Sequence, residues 1–233
     1  MDKTYTSADE AVVDIPDGAS VAIGGFFTAG TPFQLVQALI KHKARDLTII
    51  VQAFGPGNED MNRLVEQGMV KKAICNYPFY RSATRGAKSP FEQAMRTGKV
   101  EVEVYPMGTF IEKLRAAGAG LAGFYTPTGA GTVVENGKEK RVFGGQEYLL
   151  ELALKPDYSL IHAWKGDTMG NLICRKTARN YAPEMASAAK ISIASVEELV
   201  EPGELDPDMV HVPGVYVQRV VRVDRLNYIP SIE

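Results

Sequence analysis

The chain of 233 residues predicts an α/β fold, an open and mainly parallel sheet flanked by helices. Two observations point there. Short apolar runs alternate with stretches whose apolar residues recur at helical spacing, which is the pattern of strands laid down parallel through helical crossovers. The opening run DGASVAIGGFFTAGTP places an apolar strand directly before a glycine turn and a helix. No internal repeat and no shift of composition divides the chain, so one domain spanning residues 1–233 is expected.

The elements follow in order. Ser20–Ile23 is the first strand, and residues 31–43 form a helix with Pro32 near its start and Leu35, Val36, Leu39 and Ile40 on one face. LTIIV at 47–51 is the second strand, 61–67 a short helix, 71–75 the third strand and 90–97 a helix. Residues 100–105 (VEVEVY) alternate strictly, so that strand has one wet face and belongs near an edge. Thr109 and Glu112 form the T-x-x-E pattern of a capping box, predicting a helix over 109–117. The glycine- and proline-rich stretch at 118–131 is expected to be a long ordered loop. Residues 132–135 and 140–143 flank Asn136-Gly137, a hairpin signal. SLIHAW, NLICR and KISIAS read as strands, 183–189 as a helix and 215–223 as the last strand.

Composition narrows the function. Lys and Arg number 26 against 28 Asp and Glu, a formal charge of -2, which gives no long-range field to collect nucleic acid or anionic membrane. The polar, acidic start and the lack of an apolar run near roughly 18 residues predict a cytoplasmic protein with no membrane span. Cys75 and Cys174 sit in apolar runs with no shared ligand spacing and read as buried free thiols. His42, His162 and His211 are scattered and no HExxH is present, so no metal is expected.

The chemistry concentrates in the first glycine turn: Gly24, Gly25, Phe26, Phe27, Thr28, Ala29 and Gly30. Backbone N–H groups at a strand-to-helix turn can hold a phosphate or a developing oxyanion. The spacing GGFxxxGxP is not the dinucleotide fingerprint, and Gln52 stands where that fingerprint needs an acid after the second strand. A plain tight turn remains open as the alternative.

The run from Asp17-Gly18 through the apolar residues to Gly24-Gly25-Phe26, then Gly30 and Pro32, resembles the signature of the first subunit of family I coenzyme A transferases. This group includes succinyl-CoA:3-oxoacid and acetate/acetoacetate CoA-transferases. The similarity extends over nearly the whole chain, through RAAGAGLAGFYTPTGAGT, FGGQEYLLE, HAWKGDTMGNLICRKTARNY and HVPGVYV.

The resemblance implies the fold shared by CoA-transferases and sugar-phosphate isomerases. It also implies a ping-pong exchange of CoA between two carboxylates through covalent intermediates on a glutamate. In the family that glutamate lies in a Ser-Glu-Asn-Gly motif of the second subunit, so a partner chain bearing that motif and an α2β2 assembly are implied. CoA is then a substrate and no resident cofactor is needed. The look-alike Glu135-Asn136-Gly137 reads instead as a solvated hairpin tip, unsuited to an activated carboxylate.

The residues implied to face CoA or the acyl group are those at 24–30, together with Gln52, Met107 and Gly108. Phe26 would form an apolar wall excluding water, or pack as core beneath the loop. Gln52 and Met107 depart from the Ser-Asn-Asn and Pro-Gln-Gly-Thr of related sequences, which implies an altered acyl preference, since a pliant thioether replaces an amide donor. Residues 127–132 offer small side chains and N–H groups, either as a plain loop or at the interface between the two subunits. Arg81, Arg85, Lys165, Arg175, Lys176 and Arg179 are taken as solvated surface. A ligand-sensing protein of the same fold without catalysis stays open, as does a stand-alone hydrolase or isomerase. The latter needs an internal general base, which no residue near the glycine loops offers.

Overall fold

The computed structural model describes residues 2–54, 59–78 and 89–224. Its elements are β1 (Thr4–Tyr5), α1 (Ala8–Val12), β2 (Ser20–Ile23), α2 (Phe33–His42), β3 (Leu47–Val51), α3 (Glu59–Glu66), β4 (Val70–Cys75), α4 (Pro90–Arg96), β5 (Glu101–Val104) and α5 (Met107–Gly118). Then come β6 (Gly123–Thr126), β7 (Lys140–Phe143), β8 (Gln146–Leu152), β9 (Tyr158–Asp167), β10 (Leu172–Ile173), α6 (Ala182–Ala188), β11 (Ile191–Val200) and β12 (Arg219–Arg222).

The main sheet runs β1-β12-β11-β9-β2-β3-β4-β5, with β10 folded back on β9. Every pairing along that path is parallel, and only the β9–β10 pairing is antiparallel. Successive strand residues point to opposite faces, which divides the apolar residues into two cores. Val21, Ile23, Ile49, Val51 and Leu160 join α1 to α4 in one, while Ala22, Ile50, Ile161 and Ala194 join α5 and α6 in the other. The alternating strand β5 lies at the sheet's end, as its wet face predicts.

Four expectations need correction. The polar start contains β1 and α1; Ser7 accepts from the Glu10 amide at 3.2 Å, so this helix carries the side-chain cap that the S-x-x-E spacing encodes. By contrast, α5 begins at Met107, and Pro106 is its cap without a side-chain bond. Thr109 therefore stands inside the first turn with a buried, unpartnered Oγ1, and Glu112 pairs with Arg115 instead. The stretch at 118–131 is less of a loop than expected, since α5 runs to Gly118 and β6 crosses its middle.

The hairpin is also elsewhere. The three-stranded antiparallel sheet β6-β8-β7 turns at Gly144-Gly145, with φ of 57° and 83°, between the paired residues Phe143 and Gln146. Two residues with positive φ match the twist of a tight hairpin. Asn136 has φ -57°, so Asn136-Gly137 makes only a turn after a single 3-10 turn at Val133–Glu135. The last strand is likewise shorter than expected, since Gly214–Tyr216 is a 3-10 turn and β12 begins at Arg219. The small sheet is fastened to α5 by Lys113, which donates to the buried Glu151 of β8 at 3.0 Å.

Cys75 ends β4 and Cys174 follows β10; both are buried free thiols, and burial pushes them to about 12 and about 11. Since the thiolate is the reactive form, neither should react with a disulfide reagent at pH 8 in the native protein, and both should react once denatured. One equivalent released rapidly from the folded chain contradicts this placement.

Candidate functional site

The functional groups gather at the carboxyl edge of the parallel strands, where open α/β sheets place ligands. The loop at 24–30 leaves β2 there. It starts with Gly24, whose amide donates to the Leu160 carbonyl at 2.9 Å. Phe26 and Ala29 then bond each other reciprocally at 3.0 and 3.1 Å, leaving Phe27 and Thr28 as a two-residue tip. The tip is strained: Phe27 has φ 53°, in a region non-glycine residues seldom occupy. The Thr31 hydroxyl holds it by donating to the Phe27 carbonyl at 3.1 Å.

The two rings divide their tasks. Phe26 is half-buried, packs on the core beneath the loop and lies 6.3 Å from the Tyr181 ring. Phe27 is the exposed ring, edge-on to Phe26 at 5.0 Å. Among the described residues, the amides of Gly25, Thr28 and Gly30 have no hydrogen-bond acceptor.

A second segment, the turn at 175–181 between β10 and α6, clamps the loop from its far side. Asn180 donates to the Ala29 carbonyl at 2.8 Å. Gly30, at φ 76°, lies against the Ala178 carbonyl so closely that a Cβ would collide with it.

Strands β9 and β11 run past the end of β2 and form a wall beside this loop. The pairing of His162 with Ser195 sets His162 and Trp164 on one face with Ser195 and Glu197. His162 Nδ1 lies 3.0 Å from Ser195 Oγ, and its Nε2 lies 3.6 Å from Glu197. Arg175 donates to the other Glu197 oxygen at 3.2 Å and lies over the Trp164 ring at 5.2 Å. Burial pushes the His162 imidazole below its usual value; Glu197 opposes this and Arg175 adds to it. Between wall and loop lies a cavity of about 190 Å³ lined by Thr28, Gly30, His162, Trp164, Arg175 and Glu197, among others.

The other expected site residues sit along the same edge without joining this cavity. Gln52 follows β3 and is buried, its carbonyl accepting from the Asn76 and Tyr77 amides at 3.1 Å each. Met107 and Gly108 open α5 with both residues exposed. The Pro127–Thr132 turn is mostly exposed, beside the small sheet. Glu135 bonds the Gly131 amide at 2.6 Å and Lys140 at 2.7 Å, and Lys140 holds its carboxyl below the ordinary range. A carboxylate so tied is a turn anchor. Arg81 and Arg85 lie outside the described residues. Arg175, read as surface, lines the cavity; His162, Trp164 and Glu197 were missed. The signal was the length of β11, since IASVEELV continues KISIAS to Val200 and carries Glu197 to the face of His162.

The coenzyme A transferase family model matches residues 5–223. This chain belongs to the coenzyme A transferase family. It is 46% identical over 223 residues to the first subunit of the 3-oxoadipate CoA-transferase of Pseudomonas putida, covering 96% of this chain and 94% of that protein. It is 43% identical over 227 residues to the first subunit of the succinyl-CoA:3-ketoacid coenzyme A transferase of Helicobacter pylori strain J99, covering 97% and 95%. Among solved structures, the acyl-CoA transferase YdiF of Escherichia coli O157:H7 superposes with a TM-score of 0.83 at 26% identity. That match covers 96% of this family member and 47% of the YdiF chain, so the present chain spans about half of YdiF. Among the described residues, no group of His, Cys, Asp and Glu is arranged to hold a metal ion, and no helix is long and apolar enough to cross a membrane.

The clamp on the glycine loop gives a testable contrast. Gly30→Ala meets both a left-handed φ and a backbone carbonyl, and should cost about 1–3 kcal/mol. Gly18→Ala has a similar φ of 78° but open space around it, and should cost about 1 kcal/mol. Equal melting temperatures for the two variants would contradict the close approach.

Proposed function

We propose that this chain is the first, non-nucleophile subunit of a two-subunit CoA-transferase, moving CoA between an acyl-CoA and a carboxylate, a 3-oxoacid or a related acid. The observation that carries the reading is the 46% identity over 96% of the chain with a protein named as such a subunit. The reactive glutamate comes on the second subunit within a Ser-Glu-Asn-Gly motif, and the two kinds of chain assemble as α2β2.

In this reading the partner's glutamate attacks the acyl thioester, forming a mixed anhydride and releasing the CoA thiolate. The thiolate then attacks the glutamyl carbonyl, expelling the first carboxylate and leaving a glutamyl thioester; the acceptor acid reverses both steps. Negative charge develops on an acyl oxygen each time, and the amides of Gly25, Thr28 and Gly30 are the donors in this chain with capacity to spare for it. Fixed amides stabilise such charge without reorganising, which is why a pinned loop suits the task. Phe27, the exposed ring, shields the anhydride and thioester from water, while Phe26 supports it from below. Gln52 and Met107 border the acyl chain from the neighbouring strand ends, where the Met107 thioether favours a more apolar or bulkier acyl group than an amide would.

The division of labour between the two chains is tested by intact-mass analysis. After the two-subunit complex is incubated with acyl-CoA, a CoA adduct should appear on the partner and none on this chain. An adduct on this chain overturns the assignment, and binding without turnover by the complex points instead to a ligand-sensing role.

A further inference from the structure

The cavity beside the glycine loop is accounted for by neither the fold nor the family match. Its volume of about 190 Å³ holds about six water molecules at ~30 Å³ each. That is room for the end of a small acyl chain and one polar group, far too little for a nucleotide. Thr28 and Gly30 belong both to the loop and to this cavity, so an acyl group with its carbonyl at the loop amides extends its far end into the cavity.

The wall determines what that far end should be. Arg175 is only partly exposed, is laid across Trp164 and is anchored to Glu197. Of the five N–H donors of a guanidinium, described residues accept only one, through Nη2. Glu197 is balanced by that contact and by the His162 ring nitrogen at 3.6 Å. The remaining donors of Arg175 are therefore fixed in direction yet uncommitted, which suits a carboxylate better than an uncharged group.

We propose that this cavity is a carboxylate-recognition subsite in which Arg175 binds the distal carboxylate of a dicarboxylic acyl group whose reacting end lies at the glycine loop. The placement of the reacting end rests on the transferase reading above; binding of a dicarboxylate does not. Trp164 packs the methylene chain and reports on the site, because it is the only tryptophan of the chain.

Fluorescence titration of the full chain tests this. Glutarate should give a saturable change in Trp164 emission, and butyrate, of similar length with one carboxylate, should bind at least about tenfold more weakly. Arg175→Gln should weaken glutarate at least about tenfold and leave butyrate unchanged, and Arg175→Lys should restore part of the difference. Melting curves of each variant identify any loss from misfolding, and Lys165→Gln, which removes a cation paired with Glu198 on the same wall, should leave glutarate binding unchanged. No response to glutarate, equal response to both acids, or equal weakening of both by Arg175→Gln overturns the subsite. With the two-subunit complex, the KM for dicarboxylic acceptors should rise in Arg175→Gln while that for monocarboxylic acceptors stays fixed. If the wild-type complex transfers CoA to no acid while glutarate still binds through Arg175, the transferase reading fails and the subsite stands.

Discussion

A missing side chain governs this edge of the molecule. Because Gly30 has no Cβ, the Ala178 carbonyl comes directly against the loop that follows β2, and Asn180 fastens the same place by its bond to Ala29, 151 positions away in sequence. Two distant segments are thereby locked together, and the strained Phe27 conformation is held from both sides. Backbone strain of this kind persists only where the surroundings over-determine it. The loop is a two-residue hairpin whose amides point where the sheet, the 175–181 turn and Thr31 direct them.

The parallel sheet provides what the clamp acts on. Its strands end at one edge, which collects the 24–30 loop, Gln52 and the start of α5, while β9 and β11 continue beyond it as a wall. The wall's parity keeps His162, Trp164, Ser195 and Glu197 on one face. Burial there favours neutral His162, so the cation facing the cavity is Arg175 and the fixed anion is Glu197. The geometry thus separates two kinds of recognition: backbone amides at the loop for charge that forms during reaction, and a guanidinium in the cavity for charge that a ligand brings.

Much of this was legible in the sequence, and the misses have physical causes. The strands and helices of the main sheet follow from apolar periodicity, because burial on two faces leaves an unmistakable pattern. GGFFTAG marked the loop, since φ values of 113° at Gly25 and 76° at Gly30 require glycine. Capping and turn signals misled because they are short and local: Thr109-x-x-Glu112 was overridden by the brief β5–α5 connection, and Asn136-Gly137 lost its hairpin to Gly144-Gly145. The wall was missed for another reason. Whether a polar residue such as Glu197 faces a cavity depends on how far its strand outruns its neighbours, and pairing across distant segments decides that length.

The glycine loop is rigid because the turn at 175–181 pins it, and everything ascribed to its amides depends on that. Amide hydrogen exchange read at Phe26 and Ala29, whose N–H groups bond each other's carbonyls, tests it most directly. Protection should approach that of the neighbouring β2 amides and be lost at both positions together when Asn180 is replaced by Ala. Exchange at the rate of an unstructured chain in the native protein, or protection indifferent to Asn180, would contradict it.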